Sequence, residues 1–397
     1  MTAQKLKTIN SPSPQPTALH RATKWRILQV ASGLRCFSGT ERHVLDLSTA
    51  LSSRGHIVRL VCPGDCVLAD MASERGLNTL SIDMRSTYQW SQLPKYIRAV
   101  AGQYDIVHVH SPLDYVVPAV AARMRRVQGI VMTRHMPQPF RSRTKVFICQ
   151  SLLYDRIITA SSFIRAMLIE SGARAEQIEV VPYGLPAMAP DPLSAARLRD
   201  ELNIPRSAIL IAAAGRISPD KGFDVLLKAV SELTHKGITL YCVIFGSGTM
   251  LEELRRLAER LRIGAIVRLP GFRRDVNLLW SAADIAVIPS VWQEPFGYVA
   301  LEALMAGCAV IASRVGGLPE VVSPESAILT EPGDARGIAA AIEFLISSPE
   351  RRRALQAAAV RRAEMFSLHA NVAGVERVYE GVLRRPQTGR ACANQPF

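Results

Sequence analysis

The chain lacks any hydrophobic run long enough to span a bilayer, and its first residues lack the apolar core of a secretion signal. Together these absences set the expectation of a cytoplasmic product. The seven cysteines (Cys36, Cys62, Cys66, Cys149, Cys242, Cys308 and Cys392) are odd in number and mostly isolated inside apolar runs. That pattern excludes a disulfide framework and fits a reducing compartment. Cys62 and Cys66 stand four apart, but no second pair completes a zinc-type site, so no metal is expected. Acid is missing between Tyr115 and Tyr154, where Arg123, Arg125, Arg126, Arg134, Arg141, Arg143 and Lys145 occur. Such a run is either a solvated face or a surface for something anionic, such as lipid headgroups or an acidic or phosphorylated glycan. There is no arginine-rich repeat and no aromatic-basic interleaving, so nucleic acid is not an expected partner.

What is present points to two cores. A chain of 397 residues exceeds the usual single domain. The formal charge is +14, and most of the excess lies before residue 191, with 23 Lys/Arg against 12 Asp/Glu. Residues 1–22 and 386–397 are polar and read as disordered tails. Between them, short apolar strands alternate with helical periodicity: Trp25–Ala31, a helix over Glu41–Arg54, Ile57–Cys62, Tyr104–His110, a helix from Leu113 to Arg125, Ile130–Thr133 and Arg156–Ala160. The passage Pro182–Pro192 interrupts this pattern, which restarts with Ala208–Ala214, Thr239–Phe245, Ile266–Leu269, Ile285–Pro289 and Ala309–Ala312. The fold class expected is α/β, with two Rossmann-like doubly wound domains facing across a deep cleft. Their expected spans are 23–188 and 189–368, with a helix over 369–385 crossing back to the first.

The candidate chemistry gathers where strands end. Glu294-Pro-Phe-Gly-Tyr-Val-Ala-Leu-Glu302 follows the apolar run from Ile285 to Pro289. Two carboxylates one or two helical turns apart accept well from sugar hydroxyls. The helix starting near Phe296 or Gly297 offers free N–H groups to a phosphate. Gly215-Arg216 and Lys221-Gly222 place two cations at the rim, suited to a diphosphate. Sugar and phosphate together suggest a nucleotide sugar. Gly246-Ser247-Gly248 is either an ordinary turn or a place for close ligand approach. Gly316-Gly317 with Glu320 is either a glycine loop capped by glutamate or backbone brought to a phosphate or sugar.

In the first half, Ser38-Gly39-Thr40 opens a helix but lacks dinucleotide-fingerprint spacing. His110 ends a strand and is expected to face the cleft, whereas His108 reads as core. His135 lies on a later loop of the same rim. Asp114 is either an acceptor contact or a helix cap.

These elements resemble the large retaining glycosyltransferase family 4 of GT-B fold, which includes lipopolysaccharide, mannosyl and sucrose-related transferases. The likeness covers about residues 25–382. It is carried by Ser38-Gly39-Thr40-Glu41, Gly215-Arg216 with Lys221-Gly222, the Glu294–Glu302 motif, and Gly316-Gly317 with Glu320. The resemblance implies that Arg216 and Lys221 bind the donor diphosphate and stabilise the leaving nucleotide. Glu294 would contact the transferred sugar, aided by the N–H groups of Phe296 and Gly297, and Glu302 the ribose. Gly39 and Thr40 would approach the phosphates from the other domain, with Gly215, Gly246, Gly317 and Glu320 completing the donor site and His110 touching the sugar.

It further implies retention of configuration without a divalent metal or other cofactor, using a UDP- or GDP-linked sugar. The expected reaction is hexosyl transfer to an anionic lipopolysaccharide, glycolipid or polysaccharide-precursor hydroxyl, with peripheral contact at the inner face of the cytoplasmic membrane. The alternative is the same donor chemistry on a soluble acceptor: a sugar phosphate, a glucan or a small metabolite.

Overall fold

The computed structural model describes residues 24–32, 39–84, 89–101, 104–110, 115–139, 142–188 and 191–384. The two tails read as disordered, and also Ser38, Asp114 and Arg141, lie outside the described residues.

Seven parallel strands make the first sheet: β1 (Arg26–Val30), β2 (Ile57–Cys62), β3 (Asn78–Ser81), β4 (Ile106–Val109), β5 (Gly129–Arg134), β6 (Arg156–Thr159) and β7 (Ile178–Val180). Their order is β3-β2-β1-β4-β5-β6-β7. The second sheet contains β8 (Leu210–Ala214), β9 (Tyr241–Phe245), β10 (Val267–Gly271), β11 (Ile285–Ile288), β12 (Ala309–Ser313) and β13 (Ala327–Thr330). It is also parallel, ordered β10-β9-β8-β11-β12-β13. The architecture is thus two doubly wound α/β sheets, the GT-B arrangement.

The central strands are mostly apolar because helices cover both faces. Every residue of β4, β8, β11 and β12 is buried. Covering helices show the complementary pattern: Leu251–Arg260 buries only Leu254 and Ala258 and leaves its charges to water. Local chemistry sets the helix starts. The side chains of Ser161, Asp191, Asp334 and Ser367 each accept a hydrogen bond from the backbone N–H three residues on.

The chain crosses between the sheets twice. Around residues 182–188 it runs without regular structure, and it returns ahead of the helix Leu368–Leu383. The two crossings lie side by side: Leu185 N donates to Phe366 O (3.1 Å) and Leu368 N to Leu185 O (2.9 Å). A side chain at Gly184 would collide with the backbone of Ser367. The returning helix buries Val372, Val375, Val378, Tyr379 and Val382 against Trp25, Ile27, Ile106 and Val131 of the first sheet.

Candidate functional site

In a parallel sheet all carboxyl ends share one edge, so the loops after β8, β9, β11 and β12 converge. Gly215 and Arg216 follow β8, and a short turn Pro219–Lys221 leads into the helix Phe223–His235. Gly222 at that junction has φ +66°, and a Cβ there would meet the carbonyl oxygen of Pro289. Only glycine lets the loop after β8 lie this close to the end of β11. The closeness places Lys221 beside Glu294: Lys221 Nζ pairs with Glu294 Oε1, which also accepts from Ser290 Oγ at 2.6 Å. Arg216 is more open. Its guanidinium bonds Asp220 Oδ2 (3.1 Å) and Ser218 Oγ (3.1 Å), yet the side chain stays 65% exposed. Burial works against the Asp220 carboxylate, but bonds from Ser218 and the charges of Arg216 and Lys221 outweigh it and hold its pKa low.

In this structure the glycines after β9 and β12 pack backbone against backbone. Gly316 has φ +59°, and a Cβ would strike the main chain of Glu294. Gly317 N donates to Glu294 O at 2.7 Å. The glycine pair therefore shapes the Glu294 loop from behind. A Cβ at Gly246 would likewise meet Gly215 O.

Glu302 and Glu320 both reach across to the first domain. Arg42, in the helix Gly39–Ser53, pairs with Glu302 Oε1, while Trp280 Nε1 donates to Oε2 at 3.3 Å. Glu302 is buried, which pushes its carboxyl pKa up against the opposing pull of Arg42 and Trp280. Both oxygens of Glu320 accept backbone N–H groups, from Ser162 (2.7 Å) and Phe163 (2.7 Å), capping the helix Ser162–Glu170. Ser161 Oγ donates to Pro295 O at 2.7 Å in the same contact. Glu320 thus serves an interdomain seam in this structure, where the sequence placed it at the donor.

The Phe296 ring is enclosed between the domains. It is 2% exposed and packs edge-on against Tyr183 (5.1 Å) and Tyr298 (5.8 Å), while Tyr183 stacks on Tyr298 at 5.0 Å. Gly297 caps the helix Tyr298–Met305. From the first domain Gly39 abuts the Tyr298 ring, where a Cβ would lie 2.8 Å from Cδ2. Thr40 stands in the first turn of the helix Gly39–Ser53.

His110 follows β4 as expected but is fully enclosed rather than open to the cleft. It belongs to a hydrogen-bonded series: Tyr183 OH to His135 Nδ1 (2.5 Å), His135 Nε2 to His110 Nδ1 (3.2 Å), and His110 Nε2 to Gln29 Oε1 (2.6 Å). It continues from Gln29 Nε2 to Tyr379 OH (3.3 Å), Tyr379 OH to His108 Nδ1 (2.7 Å), and His108 Nε2 to Thr133 Oγ1 (2.7 Å). Because Gln29 Oε1 can only accept, His110 Nε2 is the donor to it, and burial favours the neutral form of all three imidazoles. Burial pulls the pKa of all three well down, and His43, packed 4.4 Å from the Tyr183 ring, falls to about 3 for the same cause.

The sequence alone did not single out Arg42, Trp280 or Tyr183. Arg42 had a signal, since it lies three residues past Gly39 and so on the same helical face. Trp280 had none. Among the described residues no three His, Cys, Asp or Glu side chains gather to hold a metal ion, and no helix is long and apolar enough to cross a membrane.

Known proteins match over both halves. Residues 37–187 fit the family described as Glycosyltransferase Family 4, and residues 194–362 fit Glycosyl transferases group 1. A D-inositol 3-phosphate glycosyltransferase of Acidothermus cellulolyticus is 32% identical over 314 residues, 72% of this chain and 69% of the relative. Another, from Segniliparus rotundus, is 36% identical over 219 residues; the match takes in 53% of this chain and spans about half (49%) of that relative. Among solved structures, the Anabaena protein HepE in complex with UDP superposes with a TM-score of 0.79 at 22% identity, over 90% of this chain and all (100%) of HepE, a likeness of fold. By its two-sheet architecture, its rim of paired cations and glutamates and these matches, the chain belongs to the GT-B glycosyltransferases of family 4 and group 1, and is an enzyme of that class.

Proposed function

We propose that the enzyme transfers a hexosyl unit, with retention of configuration, from a nucleotide-diphosphate sugar to a hydroxyl of a small phosphorylated acceptor. The observation that carries the donor half is the Lys221–Glu294 pair at the meeting of the β8 and β11 loops, with exposed Arg216 beside it. Before donor binds, each charge satisfies the other. Sugar hydroxyls then donate to Glu294 and release the Lys221 ammonium toward the diphosphate, where Arg216 joins it. The bond from the anomeric carbon to the phosphate oxygen breaks as the acceptor oxygen bonds that carbon on the same face. The two cations balance the charge left on the nucleotide, and the departing phosphate oxygen takes the acceptor proton. Glu302 serves the ribose in this reading. The 32%- and 36%-identical D-inositol 3-phosphate glycosyltransferases favour an inositol-phosphate type of acceptor, and the basic first half of the chain is suited to a phosphate.

A second reading, a lipid-held acceptor at the cytoplasmic membrane face, is favoured by one observation. The helical stretch from Arg143 to Leu153 turns Phe147 (60% exposed), Ile148 and Leu152 (55% exposed) to solvent.

Turnover of a panel of UDP-, GDP- and ADP-sugars with phosphorylated polyols tests the first reading. One donor should be consumed selectively, and Glu294→Gln and Lys221→Ala should each cost roughly 100-fold or more. Turnover indifferent to both substitutions would overturn it. Sedimentation with anionic vesicles, and transfer only in their presence, would move the acceptor to the second reading.

A further inference from the structure

The carboxylate proposed to hold the ribose is already occupied by protein. One oxygen of Glu302 takes the Arg42 guanidinium and the other the Trp280 indole N–H. Ribose hydroxyls would approach the same carboxylate, and Arg42 covers the oxygen that Trp280 leaves. Trp280 is in Glu302's own domain and fully enclosed, so it is a fixed partner. Arg42 comes from the opposite domain, and its side chain remains 31% exposed. It also has somewhere to go. Asp46, one turn along the same helix, lies 3.6 Å from Arg42 Nε and is buried, held by Arg75 Nη1 at 2.6 Å. A cavity of about 350 Å³ opens beside the pair, lined by Arg42, Met71, Arg75, Arg274, Trp280 and Glu302. Arg42 therefore has two partners within reach, one on each side of the cleft, and space between them.

We propose that Arg42 is a gate: in the nucleotide-free enzyme it stands in for the ribose at Glu302, and nucleotide must displace it onto Asp46 to bind. The gate depends on the reading of Glu302 as a nucleotide contact given above. Arg42 then links two events, because the contact it gives up is one between domains. An empty enzyme is drawn closed by Arg42, and an arriving nucleoside diphosphate exchanges that clasp for its own hydroxyls. The apparent affinity for nucleotide is reduced by the fraction of enzyme with the clasp open.

Titration calorimetry with UDP, GDP and ADP as probes tests this on the full-length chain, using Arg42→Ala, Glu302→Ala and the double variant. Arg42→Ala should tighten the dissociation constant of the preferred nucleotide by about three- to tenfold, the effect of a clasp closed in roughly 70–90% of molecules. In the Glu302→Ala background the same change should have no effect, because there is nothing left to block. Weaker or unchanged binding by Arg42→Ala, with Glu302→Ala strongly impaired, would overturn the gate while leaving Glu302 as the nucleotide contact. Binding by Glu302→Ala equal to the parent would instead remove the reading on which the gate depends. Thermal unfolding of each nucleotide-free variant confirms that a folded protein is being titrated. A gain in affinity cannot arise from a failure to fold.

Discussion

Acid should unfold the first domain well before the second. His43, His108, His110 and His135 are buried and neutral there, and burial lowers all four pKa values, that of His43 to about 3 from an ordinary 6.5. Charging any imidazole of the series would put a cation where burial already disfavours one. The unfolded chain takes up protons below about pH 6.5, and the folded one does not. Stability is therefore complete above that value and is lost as pH falls toward the folded pKa values. At pH 5.5 each histidine that stays neutral when folded contributes a loss of about 1.4 kcal/mol, so four would together cost roughly 6 kcal/mol. That is comparable with the entire stability of many domains, about 5–15 kcal/mol. In the second domain the raised Glu302 gains from acid, and the contribution of Asp220, held low, is lost only below its ordinary 3.8, outside this window. Urea unfolding followed at pH 7.5, 6.5 and 5.5 should show the first-domain transition moving to lower urea, with a limiting slope near four protons. His110→Gln should remove about one proton from that slope. A first-domain midpoint that stays constant from pH 7.5 to 5.5 would refute the assignment of four neutral, enclosed imidazoles.

Two further substitutions probe how the site is held. Gly316→Ala places a side chain at φ +59° against the Glu294 backbone. It should cost about 1–3 kcal/mol in chemical denaturation and lower donor turnover with it; unchanged values for both would mean that the Glu294 loop is not shaped from behind. Glu320→Ala leaves the Ser162 and Phe163 amides without their acceptor. Hydrogen exchange at those two amides should quicken by about tenfold, the equivalent of about 1.4 kcal/mol, and unaltered exchange there would show that the seam does not depend on Glu320.

The two-sheet architecture was legible because strands buried on both faces read as unbroken apolar runs. Ile285–Ile288 and Ala309–Ser313 are examples. The edge strands β3 and β13 were not singled out, because Asn78–Ser81 and Ala327–Thr330 are short and partly exposed, with no run to notice. At the site, the meeting of Gly215, Arg216, Lys221 and Glu294 followed from their positions after parallel strands. What those residues touch did not. Arg42 and Glu302 are 260 residues apart, and their contact depends on how one domain sits on the other, which no local pattern encodes. For the same reason His110 was placed correctly on its strand but wrongly in the open. It is surrounded by Gln29, His43 and His135, supplied by other parts of the chain.

The paired crossings have a mechanical consequence. Two separate threads between the domains would allow them to slide, twist or part. Here the threads are bonded edge to edge through Leu185, and Gly184 leaves no slack against Ser367. They form a two-ply strap. Shearing one ply along the other would break the bonds to Phe366 and Leu368, whereas bending both together breaks nothing. Such a strap should favour separation of the domains by a swing about a line across it. The Arg42 clasp and the Glu320 cap then release as parts of a single rotation, not as independent events.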